Sequence, residues 1–155
     1  MNELQALATL GGSLALVGGL AGSAIGIGLA ATAGVGTLSE DSGQLRNVVV
    51  LASLPMTQTF YGLIILIIVL TVVFPNLPTS GHSGMAVLAV GIMGGSAEVF
   101  SAIFQGSVCA AGIAMLPKTK GQILTSSMML AVFVELIGVL GLVFVIMAFS
   151  ILKFM

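Results

Sequence analysis

Long stretches of nearly unbroken apolar residues alternate, along this chain, with three short places where polar and turn-forming residues gather. Thr37-Leu-Ser-Glu-Asp-Ser-Gly-Gln-Leu-Arg46 is the first such break. Pro75-Asn-Leu-Pro-Thr-Ser-Gly-His82, with two prolines and a glycine, is the second, and Pro117-Lys-Thr-Lys-Gly121 is the third. Prolines, glycines and short polar side chains are turn chemistry, so the pattern predicts four helices, near 5–38, 47–74, 83–116 and 122–153. Each is longer than the ~20 residues that cross a bilayer, so tilt or projection beyond the hydrocarbon is expected.

Composition turns the helices into membrane spans. Of 155 residues, 58% are hydrophobic and 6% charged, against roughly a quarter charged in a soluble domain. No Asp, Glu, Lys or Arg occurs in residues 4–39, 47–97, 99–117 or 136–152. As one helix the second of these runs would be about 77 Å long, far beyond the ~30 Å core, so it must fold back on itself. A soluble fold is excluded, as are a nucleic-acid binder (net charge −1, no basic patch) and a disulfide scaffold (one cysteine). With Glu3 and no basic stretch ahead of the first apolar run, no signal peptide is expected. Arg46, Lys118 and Lys120 flank the first and third breaks, and Lys153 alone lies at the other end. The positive-inside rule then places loops 39–46 and 117–121 in the cytoplasm and both termini outside, in a multi-pass protein of the cell membrane.

The chain also repeats itself at a spacing of 78–79 residues. Gly34-Val-Gly-Thr-Leu38 aligns with Gly112-Ile-Ala-Met-Leu116, and Tyr61-Gly-Leu63 with Leu140-Gly-Leu142. The unit is a helical hairpin present twice, 1–78 and 79–155, and the register that puts Glu135 in the second puts Met56 in the first. Parallel repeats occur in transporters and in symmetric assemblies alike. In the first helix Gly18, Gly22, Gly26, Ala30 and Gly34 recur every four residues; Ala102, Gly106, Ala110 and Ala114 do so in the third. Such stripes allow close backbone approach, either within the chain or as the crowded inner layer of a ring. Gly26-Ile-Gly28 and Gly34-Val-Gly36 lack the strand and acidic partner of a nucleotide fingerprint.

Inside the spans, the polar side chains that bear on chemistry are few. Leu54, Thr57, Gln58 and Tyr61 share one face of the second helix; the third carries Gln105 and the fourth Glu135. Counted inward from the cytoplasmic loops, Thr57, Gln105 and Glu135 lie roughly 16–21 Å deep, one level within a turn. An ionised carboxylate there costs at least ~2.5–3.5 kcal/mol. A protonated Glu135 serving as a structural bridge needs few partners, whereas a hard monovalent cation needs several oxygens and one formal charge, which this cluster offers. Pro55 cannot donate to the carbonyl of Leu51, so it predicts a kink, a carbonyl freed toward a ligand, or both.

Leu54-Pro-Met-Thr-Gln-Thr-Phe-Tyr-Gly62, Phe100-Ser-Ala-Ile-Phe-Gln-Gly106, and Val134-Glu135 with Gly138 and Gly141 resemble the membrane rotor proteolipid of V-type ATPases (their K or c subunit), and within it the bacterial sodium-transporting branch. The likeness covers essentially the whole chain, including the duplication with one carboxylate lost. It implies an all-α membrane protein of two duplicated hairpins that assembles with identical subunits into a ring turning against a stator. It further implies that the Leu54 carbonyl, Thr57, Gln58, Gln105 and Glu135 coordinate Na⁺, one ion per Glu135, and that Tyr61 locks the site by hydrogen-bonding the carboxylate. Lipid around the ring and central-stalk subunits at the cytoplasmic loops complete the implied surroundings.

Ion release calls for a fixed positive charge near Glu135. The one arginine here, Arg46, is in a loop, so a stator subunit must supply an arginine. No P-loop or catalytic constellation is present, and the chain is not expected to be an enzyme by itself. A proton-translocating rotor of the same family is the main alternative; a four-helix antiporter, which would cradle an organic cation in aromatic rings, is poorly served by one tyrosine and no tryptophan. A pore or scaffold proteolipid would leave Glu135 incidental. Glu98 departs from the family pattern: it lies seven residues before Gln105, ~10 Å toward the outside. A protonated carboxyl, a snorkelling one, an interface pair and a second acidic ion site are its readings. Cys109, among alanines, reads as a packing residue.

Overall fold

The computed structural model describes residues 2–78 and 81–155. Four helices in it are long and apolar enough to cross a membrane: Glu3–Glu40, Ser42–Asn76, Ser83–Thr119 and Leu124–Ile151. At 1.5 Å per residue the first is about 57 Å long, nearly twice the thickness of a hydrocarbon core. The division drawn from the sequence between residues 78 and 79 falls at Thr79 and Ser80, which lie outside the described residues.

Local chemistry accounts for the helix ends. The first helix opens on a capping box, Gln5 N–H donating to Asn2 Oδ1 at 2.9 Å and Asn2 N–H to Gln5 Oε1 at 3.1 Å. It closes at Asp41, whose carboxylate accepts from Gly43 N–H at 3.0 Å and from Gln44 Nε2 at 2.9 Å and so starts the second helix. The third helix ends later than its sequence predicts: it runs through Pro117 to Thr119, and the chain turns at Lys120 and Gly121, with φ of 50° and 81°. Pro117 has no N–H for the carbonyl of Ile113, four residues back. That carbonyl instead accepts from Thr37 Oγ1 of the first helix at 2.9 Å, so no buried acceptor is orphaned and the helix continues.

Pro55 is accommodated differently. Leu54–Met56 tighten into a 3₁₀ turn, and the Leu51 carbonyl, deprived of its partner, accepts from Leu54 N–H. Further out, Val69–Val73 widen into a π turn before the 3₁₀ turn Phe74–Asn76 around Pro75.

Helices one and three form the tightest contact. A methyl on Gly18 would overlap the backbone of Gly95, one on Gly91 that of Gly11, and one on Gly106 that of Gly26, while Gly22 meets Val99 and Ala102. Gly34 faces Val48 of the second helix instead. Of the third-helix stripe, Ala102 and Gly106 are buried but Ala114 is exposed, so the close contact ends before the stripe does. Two apolar clusters fill the interior. One joins Ala8, Ile65, Val69, Val87, Val145 and Phe149; the other joins Ala30, Leu51, Cys109, Ile113, Leu116 and Ala131. The outward faces are apolar too: Phe60, Phe100, Phe104, Phe133 and Phe144 are each more than half exposed, as suits lipid or a neighbouring copy.

Candidate ion-binding site

Between the two apolar clusters lies a polar layer built from helices two, three and four. Thr57 Oγ1 is 3.2 Å from the Leu54 carbonyl oxygen and 3.2 Å from Gln58 Oε1. The 3₁₀ turn at Pro55 produces the first of these contacts, since it brings residue i+3 over the Leu54 carbonyl. One hydroxyl hydrogen cannot fully satisfy two acceptors, so three oxygens converge with a single proton among them. Oxygens gathered in this way suit a cation.

Gln58, fully buried, uses both amide hydrogens: Nε2 donates to Gln105 Oε1 at 2.9 Å and to Ser101 Oγ at 3.0 Å. Its oxygen is thereby turned to Thr57. Gln105, also fully buried, donates from Nε2 to Glu135 Oε2 at 3.2 Å. Its Oε1 keeps one lone pair beyond the bond from Gln58 and can still face a cation. Tyr61 donates its hydroxyl to Glu135 Oε1 at 3.0 Å. Glu135 itself is half-buried, between the exposed side chains of Phe133 and Leu136, so its carboxylate faces the inner amides while remaining near the outer surface.

Thr57, Gln58, Tyr61, Gln105 and Glu135, singled out from three separate helices, therefore form one hydrogen-bonded group, to which the Leu54 carbonyl belongs through Thr57. Glu98 is not part of it. Its carboxyl oxygens have no hydrogen-bond partner among the described residues. Met56, the counterpart of Glu135, is 47% exposed and takes no part in the group.

Ser101 is a participant that the sequence did not single out. Besides accepting from Gln58, its hydroxyl donates to the Val134 carbonyl at 3.0 Å and so ties the second helix to the residue before Glu135. Its position one turn from Gln105, on the same helical face, was the available signal. Cys109 is buried in the apolar cluster with Ile113 and Leu116, as a packing residue would be.

Residues 10–69 and 88–148 each match the family of ATP synthase C subunits. Among curated proteins, the chain is 37% identical over 139 residues to the A-type ATP synthase subunit K of Methanocaldococcus jannaschii, a match covering 89% of this chain and 61% of the relative. It is 32% identical over 127 residues to the V-type sodium ATPase subunit K of Enterococcus hirae, covering 79% of this chain and 76% of that protein. The chain thus spans about three-fifths of the archaeal relative and about three-quarters of the bacterial one.

Proposed function

The chain belongs to the family of ATP synthase C subunits, and on that premise we propose that it is a rotor-ring protein that carries Na⁺ across the membrane on Glu135. One ion rides per chain, and rotation couples its passage to ATP hydrolysis or synthesis in other subunits. The observation that carries this reading is the half-buried Glu135 carboxylate bonded to Gln105 and Tyr61, beside the convergent oxygens of Leu54, Thr57 and Gln58. A relative that is by name part of a sodium ATPase supports Na⁺ as the cargo.

The residues divide the work by chemistry. Glu135 supplies the negative charge that neutralises the ion, so the loaded site enters lipid with no net charge. The oxygens of Leu54, Thr57, Gln58 and Gln105 replace the water that Na⁺ sheds. Tyr61 holds the carboxylate and resists its swing outward. Unloading needs a positive charge brought close to Glu135, and an arginine of a membrane stator protein fills that role, since Arg46 lies at the end of a helix. Identical subunits complete the ring, lipid surrounds it, and central-stalk subunits sit on loops 39–46 and 117–121 at the cytoplasmic side, with both termini outside. Moving each ion against 100 mV takes ~2.3 kcal/mol, which the soluble catalytic subunits provide or collect.

Carbodiimide labelling tests the reading, because the reagent modifies a carboxyl that reaches the outer surface. Na⁺ at neutral pH should protect Glu135. Protection by raised pH alone would identify protons as the cargo of the same rotor. A ring whose Glu135 is never labelled would overturn the ion-carrying role.

A further inference from the structure

Glu98 is the second carboxyl inside the membrane-spanning region, and its setting differs from that of Glu135. The residue is 0% exposed, and neither of its oxygens has a hydrogen-bond partner among the described residues. The carboxyl occupies a notch that the fourth helix leaves open: a methyl on Gly138 would come within 2.7 Å of Oε2, and one on Gly141 within 3.5 Å of Oε1. Ser101 Oγ borders the same notch, 3.2 Å from where the Gly138 methyl would be.

The charges nearby do not neutralise it. Arg46, His82, Lys118, Lys120 and Lys153 all lie in loops or at helix ends, and the titratable groups facing the layer from helices two and four are Tyr61 and Glu135. Two ionised carboxylates sharing one Na⁺ would leave an uncompensated charge in the interior, the most costly state open to such a group. A second metal cation does not fit. The notch offers Glu98 and the Ser101 hydroxyl, which is already engaged with Gln58 and Val134, and a cation stripped of its water needs several more oxygens.

We propose that Glu98 is a second cation-accepting site of this chain and that its cation is a proton, which stays with the chain while the ion on Glu135 comes and goes. Enclosure separates the two roles. Glu135 lies near the outer surface, where a stator can reach it, whereas Glu98 is fully covered by the chain itself. The neutral carboxyl leaves the Na⁺ stoichiometry at one per chain. The contrast between resident and travelling cation rests on the rotor reading above; the proton on Glu98 does not.

Infrared spectroscopy of the ring assembled from the full chain tests this, because a protonated carboxyl has a carbonyl band apart from the amide bands. At neutral pH in saturating Na⁺, with Glu135 ionised against its cation, the expected band is present in the native ring and lost in Glu98→Gln, and it persists in Glu135→Gln with and without Na⁺. Because Gln matches the shape and neutrality of the protonated acid, Glu98→Gln should bind radiolabelled Na⁺ within about threefold of the native affinity. A band that vanishes in Glu135→Gln, or that Na⁺ abolishes, overturns the proposal. So does a loss of Na⁺ affinity beyond about tenfold in Glu98→Gln, which would make Glu98 a ligand. If Glu98→Gln fails to assemble, the spectrum of Glu135→Gln decides alone. A native ring that binds no Na⁺ would overturn the cargo assignment and leave the Glu98 band to be judged separately.

Discussion

At the scale of single residues, the site depends on which way two buried amides point. Ser101 settles this for Gln58: by accepting one amide hydrogen it leaves the Gln58 oxygen facing Thr57. Ser101→Ala removes that acceptor, and the loss of one such bond, about 0.5–1.5 kcal/mol, predicts Na⁺ binding weakened up to about tenfold. Radiolabelled Na⁺ titration of assembled rings checks it, and unchanged affinity would show that Gln58 is oriented without Ser101. Tyr61→Phe removes a hydrogen bond to a carboxylate, worth about 1.5–3 kcal/mol, so Na⁺ should dissociate at least tenfold faster in stopped-flow exchange. Gln105→Ala should weaken Na⁺ binding with ring assembly intact on gel filtration; failed assembly would make Gln105 structural. The carboxylate, the amides, the hydroxyl and the phenol were legible in the sequence because polar groups at bilayer depth are rare and share a level. Ser101 was not, because serines in apolar helices commonly bond their own backbone. Ser96 and Ser107 do so, to Ile92 and Ile103, and only its place one turn from Gln105 separates Ser101 from them.

Among the helices, what the sequence alone could not show is how each proline is accommodated. Pro55 and Pro117 both remove the partner of a carbonyl four residues back. One is answered within its own helix by a tightened turn, the other across the bundle by Thr37. Local sequence reasoning ends the helix at Pro117 because the compensating hydroxyl lies 80 residues away in the chain. Its physical consequence is a specific coupling between two positions. Thr37→Val orphans the buried Ile113 carbonyl and should destabilise the protein by about 1–3 kcal/mol. Pro117→Ala, which restores the N–H, should recover most of that loss in the double variant while changing little by itself. Thermal unfolding of the four proteins in detergent measures the interaction, and additive effects would show that Thr37 does not stand in for the missing N–H. The glycine stripe was legible, since small residues every fourth position announce close contact, but its partner faces were not. Gly18 and Gly26 meet the third helix, whereas Gly34 of the same stripe meets the second.

For the whole molecule, the informative feature is how unequally the two matched halves divide polarity. The family match covers residues 10–69 and 88–148, the same stretch of each repeat. In that register every polar group of the layer except Ser101, which answers to Ser23, has an apolar counterpart. Glu135 answers to Met56, Thr57 and Gln58 to Leu136 and Ile137, Tyr61 to Leu140, and Gln105 to Ile27. Duplication therefore kept the packing of two hairpins and the carboxylate–amide group of one. A carboxylate by itself should not recreate the lost site. Met56→Glu places an acid on a 47% exposed face with Leu136, Ile137 and Ile27 as the corresponding neighbours, none of which offers a side-chain oxygen. On the proposed reading the expected result is no Na⁺ bound beyond the one per chain carried on Glu135, and a ring less stable by at least ~2.5 kcal/mol when the new acid is ionised. Equilibrium binding of radiolabelled Na⁺, counted per chain, reads the first, and detergent-induced dissociation of the ring reads the second. Two Na⁺ per chain would mean that a carboxylate and backbone oxygens suffice, and the amides and hydroxyl around Glu135 would then need another explanation.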